Sequence, residues 1–109
     1  MFLPQDAIIA EGKLTKYLLV LLPKDDKSQF LAQAGYMLNN WQQLEGDLRS
    51  QVLTQLAELI ETNRYGKKYC IYARLRGSNN VELRILTIWM VTNGTTKFVT
   101  LLPDKGVNR

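Results

Sequence analysis

The sequence predicts an α+β domain in which N-terminal helices pack on one face of a C-terminal three- to four-stranded antiparallel β-meander. Three observations lead there. Residues 68–75, 83–91 and 97–102 are runs rich in β-branched and aromatic residues. Asn93-Gly94, between the last two runs, is the dipeptide that most readily supplies two positive φ angles in a tight hairpin turn. The first sixty or so residues carry apolar side chains at helical spacing instead. At 109 residues the chain is read as a single domain, with a helical half over about 11–62 and the meander over about 65–103.

Residues 2–10 form a short apolar entry, either an edge strand or an extended lead-in. Leu14, Tyr17, Leu18 and Leu21 fall at i, i+3, i+4 and i+7, so a first helix is expected over 11–21, closed by Pro23. Asp25 and Asp26 offer an N-cap for a second helix over 27–34 that ends at Gly35. Lys27 would then sit in a first turn, where a cation opposes the helix dipole and invites a functional explanation. A third and longest helix is expected from Asn40, with Trp41, Leu44, Leu48, Val52, Leu56, Leu59 and Ile60 as its buried stripe and Gly46 as a weak point. The polar tail beyond Pro103 is expected to fray.

Register in the meander follows from turn length. A two-residue turn at Asn93-Gly94 pairs Thr92 with Thr95 and predicts Trp89 opposite Phe98, Ile88 opposite Val99 and Thr87 opposite Thr100. A four-residue turn at 77–80 pairs Arg76 with Val81, Arg74 with Leu83, Tyr72 with Ile85, Cys70 with Thr87 and Lys68 with Trp89. Alternation then puts Tyr69, Ile71, Ala73, Leu86, Ile88, Met90, Val99 and Leu101 on a helix-facing side. The other face would present Lys68, Cys70, Tyr72, Arg74, Ile85, Thr87, Trp89, Phe98 and Thr100, a mixture of cations, hydroxyls and aromatic rings.

Charge is distributed unevenly. Residues 1–62 hold five cations against eight anions, a net of −3, whereas residues 63–109 hold nine against two, a net of +7. A basic sheet half is the electrostatic footprint of a polyanion binder, although a solvated surface accounts for it as well. The longest apolar run, residues 17–23, is far below the roughly 20 residues that span a bilayer, so no membrane association is expected. With no secretory signal evident and a single cysteine, a cytoplasmic location is expected.

The chain contains no histidine and one cysteine. Ser-His-Asp and Cys-His arrangements, His-ligated zinc and thiolate clusters are thereby excluded, and Cys70, mid-strand with no imidazole to activate it, reads as structural. No Gly-rich phosphate loop is present; the sequence implies neither a metal site nor a cofactor. Lysine, arginine, tyrosine and threonine remain. Together they suit RNA cleavage by its own 2′-hydroxyl, which needs a base, stabilisation of the phosphorane charge and protonation of the leaving oxygen. Lys68, Lys27, Thr87 and Thr100 are the candidate catalytic residues. Lys13, Lys67, Arg74, Tyr72 and Trp89 are the candidate RNA contacts. The structural alternatives are a small second core for the aromatics, an edge-protecting role for Lys68 and a stabilising cross-strand pair for Thr87 and Thr100.

Tyr65-Gly66-Lys67-Lys68-Tyr69, then Leu75, Gly77 and Asn79, Thr87-Ile88-Trp89, and Val99-Thr100 with Pro103 form an ordered series of motifs. Leu3-Pro4, Lys13-Leu14, Tyr17-Leu18-Leu19, Lys27 with Phe30, Gly35-Tyr36, and Trp41 with Leu44 extend it toward the N-terminus. Over about residues 3–103 the chain resembles an uncharacterised bacterial domain family found as small stand-alone proteins, often cyanobacterial, and as C-terminal modules of large toxins. The resemblance implies a toxin-like role beside a small antitoxin-like partner. Helices followed by a meander also resemble the barnase, colicin and RelE group of ribonuclease toxins in architecture. Many members of the resembled family carry a histidine and glycine just before the position of Lys27, where this chain has Pro23-Lys24-Asp25-Asp26. The expected function is therefore a metal-independent endoribonuclease of a toxin–antitoxin type system acting on RNA. A non-enzymatic protein- or nucleic-acid-binding module acting with a partner is the alternative.

Overall fold

The computed structural model describes residues 1–105. Asn93 (φ 52°) and Gly94 (φ 80°) both take positive φ, as a tight hairpin turn requires. They join the last two of four antiparallel strands, β1 (Glu58–Asn63), β2 (Gly66–Arg76), β3 (Glu82–Thr92) and β4 (Thr95–Pro103), which lie side by side in chain order. The expected α+β class and the antiparallel meander are both present.

The register between β2 and β3 differs from the expectation by one residue. The turn occupies residues 77–81, with Gly77 N donating to Val81 O (3.0 Å) and Asn80 N to Gly77 O (3.0 Å). Arg76 therefore pairs with Glu82, Arg74 with Arg84, Tyr72 with Leu86, Cys70 with Ile88 and Lys68 with Met90. Because side chains alternate, this slip exchanges the two faces of β3. Leu83, Ile85, Thr87 and Trp89 turn inward and are buried, while Leu86, Ile88 and Met90 lie half-buried on the open face.

Between β3 and β4 the expected pairing holds from Thr92–Thr95 to Trp89–Phe98, and then Val99 bulges out. Beyond the bulge Thr100 lies opposite Ile88, and Leu101 opposite Thr87. The expected pairs Thr87–Thr100 and Ile88–Val99 are not formed. Phe98 lies inside, its ring meeting Trp89 edge-on at a centroid distance of 5.2 Å. Thr87 is fully buried because its polar group is satisfied: its hydroxyl donates to Ile71 O (3.2 Å) and accepts from Trp89 Nε1 (2.8 Å).

The helical half is more broken than its periodicity suggests. One α-helical turn, α1 (Glu11–Lys13), continues as a π-helical turn over Leu14–Leu18, with Leu19 N donating to Leu14 O. Next come α2 (Ser28–Ala32), a 3₁₀ turn (Leu38–Asn40), and α3 (Trp41–Asp47), which passes through Gly46 and ends in a second π-helical turn, Leu48–Val52. The third helix therefore stops short of its expected end. Residues 58–63 form β1 instead, and Leu56, Leu59 and Ile60 are 62%, 51% and 50% exposed rather than part of a buried stripe. Pairing with β2 satisfies backbone groups along Lys67–Cys70 that a helix would have left open.

Leu14, Leu18, Leu31, Leu44, Leu48 and Val52 close onto Ile71, Leu75, Ile85, Trp89 and Leu101 in one core. The N-terminal entry covers the free edge of β4: Ile8 N donates to Thr96 O and Phe98 N donates to Ile8 O, both at 2.8 Å. Where β1 leaves the edge of β2 open, Gln51 takes its place, accepting from Arg76 N (2.7 Å) and donating to Arg76 O (2.9 Å). No helix among the described residues is long and apolar enough to cross a membrane. Asp104 N still donates to Arg84 O (2.9 Å), and the remainder of the tail expected to fray, from residue 106, lies outside the described residues.

The register makes a direct prediction. Ile85→Ala should lower the unfolding free energy by about 2–5 kcal/mol, and Ile88→Ala, on the open face, by clearly less. Urea denaturation of both variants measures this, and equal or reversed costs would mean that the faces are wrongly assigned.

Candidate functional site

The expected cluster of Lys68, Thr87 and Thr100 on one face does not exist, because the register places Thr87 in the core. Lys68 lies on the open face beside Glu61 (3.6 Å), and this contact, after a hydrogen bond from Asn63, holds the Glu61 carboxyl below its ordinary pKa. Trp89 is fully buried and presents no face to a base. Of the remaining candidates, Lys13 is exposed at the end of α1 and Lys67 at the start of β2. Tyr72 and Arg74 occupy the open face, the first half-buried and the second exposed.

Two of the predicted residues, Lys27 and Thr100, do come together, around a third that the sequence did not single out. Lys27 is only 8% exposed. Its Nζ donates to the Tyr17 hydroxyl at 2.8 Å and lies 4.9 Å from the centre of that ring. No carboxylate lies within salt-bridge distance of it among the described residues. Thr100 enters from β4 just after the Val99 bulge. Its Oγ1 is buried without a hydrogen-bond partner, and its hydroxyl favours the Tyr17 anion. The Tyr17 pKa is lowered from its ordinary value, first by the hydrogen bond from Lys27 and then, against the cost of burial, by Thr100 and by the charge of Lys27.

The local chain explains why a lysine points inward here. Asp25 adopts a positive φ of 56°. Asp26 clamps the loop, accepting from Leu22 N (2.9 Å) and the Ser28 hydroxyl (2.8 Å) through Oδ1. Its carboxyl is held below its ordinary pKa, chiefly by the Leu22 bond. Lys27 leaves this clamp as the N-cap of α2 and turns back onto the π-helical turn that carries Tyr17. In the sequence Tyr17 is one more member of an apolar stripe. The available signals were a hydroxyl on that stripe, which needs a partner when buried, and a cation at an unfavourable helix start.

An ammonium that donates to a phenol, the phenol whose anion it favours and a buried hydroxyl form a unit that can hold an anion or move a proton. Among the described residues no group of three or more His, Cys, Asp or Glu side chains could hold a metal ion.

Fold and site together define a small helix-backed antiparallel meander with a lysine–tyrosine pair at its β4 edge. The chain belongs to the family described as Domain of unknown function (DUF6883), whose profile matches residues 4–105. Comparison with curated proteins and with solved structures gave no match.

The pair can be checked by spectroscopy. In an ultraviolet pH titration the tyrosine that titrates earliest should vanish in Tyr17→Phe and move to higher pH in Lys27→Met. Tyr36 does not confuse the reading, because burial and its bond to Asp47 (2.6 Å) push it far upward. An unchanged titration in Lys27→Met would dissolve the pair.

Proposed function

We propose that this domain is a toxin-type, metal-independent endoribonuclease whose chemical centre is Tyr17, Lys27 and Thr100. The observation that carries the proposal is the 2.8 Å contact between the buried Lys27 ammonium and the Tyr17 hydroxyl, with no carboxylate among the described residues within salt-bridge distance of the lysine. A carboxylate partner would make the group a structural ion pair; a tyrosine partner leaves its charge available to an anion. The toxin role, exercised in the cytoplasm beside a small antitoxin-like protein, is supported by the ordered motif series.

The chemistry needs no histidine. The Tyr17 phenolate takes the proton of the RNA 2′-hydroxyl, and the 2′-oxygen attacks the adjacent phosphorus. The bond from phosphorus to the 5′-oxygen breaks, leaving a 2′,3′-cyclic phosphate. Lys27 faces the charge that develops on the phosphorane and gives a proton to the departing 5′-oxygen. The hydrogen bond between the two side chains then returns a proton from the tyrosine to the lysine, resetting the pair. Thr100 supplies a further donor to the phosphate. Thr87, sealed in the core, has no part in these steps, and Lys68, paired with Glu61 on the open face, lies outside this centre.

Cleavage of total RNA, read by sequencing of the ends, tests the proposal. Tyr17→Phe should lower the rate by about 10²–10⁴, the usual contribution of a positioned acid or base, with folding retained. The wild-type rate should rise with pH as Tyr17 ionises, with a midpoint below the ordinary tyrosine pKa. Cleavage unaffected by Tyr17→Phe would remove this centre, and binding of RNA without cleavage would favour a non-enzymatic module.

A further inference from the structure

The open face of the sheet contains a second feature that the centre at the β4 edge does not use. Arg74 and Arg84 are direct cross-strand partners on that face and both are exposed. Opposed residues on neighbouring strands stand about 5 Å apart at Cβ, where like charges repel. Their neighbours are neutralised: Arg76 pairs with Glu82 at 2.7 Å, and Lys68 with Glu61 at 3.6 Å. Neither Arg74 nor Arg84 forms a salt bridge among the described residues. The two arginines line a cavity of about 400 Å³ together with Tyr72, Ala73, Gln55 and Asp104. Asp104 has an interaction of its own, and its main-chain N–H donates to the Arg84 carbonyl (2.9 Å).

From this arrangement we infer that the cavity is a nucleotide subsite for single-stranded RNA, with the arginine pair holding backbone phosphates and the Tyr72 ring supporting a base. Guanidinium groups suit phosphate oxygens through paired N–H donors, and a ring beside them is the common device for holding an unpaired base. The volume falls in the range of small-ligand pockets. Arg84 lies four residues along β3 from Ile88, the partner of Thr100, or about 13 Å at the rise of a strand. The subsite therefore holds the strand at a distance from the bond that is cut. This assignment rests on the proposed RNA reading and names how that substrate is gripped.

Fluorescence anisotropy of a short labelled oligouridylate across a salt series tests it, with an oligothymidylate of equal length alongside. Each phosphate neutralised on a single strand contributes a log–log slope of roughly −0.7, so the Arg74→Ala/Arg84→Ala variant should bind with a slope shallower by about 1.4. The same loss is expected on the DNA strand. Arg76→Ala, ion-paired one residue pair further along, should leave slope and affinity as in the wild type. Tyr72→Leu should weaken binding without changing the slope, and Tyr72→Phe should restore it. Absent wild-type binding, an unchanged slope in the double variant, or an equal effect of Arg76→Ala would overturn the subsite. If cleavage requires Tyr17 while the double variant binds normally, the subsite alone fails. If the slope falls as expected but no RNA is cut, the subsite stands and the endoribonuclease reading fails.

Discussion

The close approach of Gly77 to Ala34 governs the arrangement of this sheet. A Cβ at Gly77 would lie 1.7 Å from the Ala34 carbonyl oxygen and 2.9 Å from the Ala34 Cβ, so no other residue fits without displacing backbone. The β2–β3 turn is thereby pressed against the end of the α2 region, and the Asn79 side chain secures it by donating to Gln33 O (3.1 Å). Turn length decides register, and register decides which half of β3 meets the helices. Both the burial of Trp89 and the position of Arg84 opposite Arg74 follow from the five-residue turn that is held against Ala34 in this way.

The same contact explains what the sequence could and could not reveal. The second turn was legible because Asn-Gly has a strong preference for two positive φ angles. The first was not, since Gly77, Ser78, Asn79 and Asn80 suit turns of four or five residues equally well. Composition offered no correction: Leu83, Ile85 and Trp89 on one side of β3 are no more apolar than Leu86, Ile88 and Met90 on the other. A similar ambiguity hid β1, because Leu59 and Ile60 satisfy a helical stripe as readily as a strand. The class of fold is insensitive to both ambiguities, since it depends on how many strands follow one another and on where the helical pattern stops.

The candidate site was partly legible for a related reason. Lys27 stood out as a cation placed where a helix does not favour one, and Thr100 as a hydroxyl on a mixed strand. What joined them was neither spacing nor motif. The π-helical turn Leu14–Leu18 sets the phase that carries Tyr17, the Asp26 clamp returns Lys27 toward it, and the bulge at Val99 brings in Thr100. Three irregularities in three separate elements converge at this point, and regular periodicity, the main signal in a lone sequence, does not report irregularities.

The bulge at Val99, and a second where the β1–β2 register shifts between Leu59 and Glu61, also bear on how this domain tolerates changes in length. Ile60 and Val99 are each one residue more than their neighbours require, and both lie in the outer strands of the sheet. The central pairing runs unbroken from Lys67–Val91 to Arg76–Glu82. Insertions and deletions of a single residue therefore have two natural places of storage at the margins, where gain or loss re-aims a few side chains. The middle hairpin offers none, and a change of one residue there would turn the interior of the protein outward.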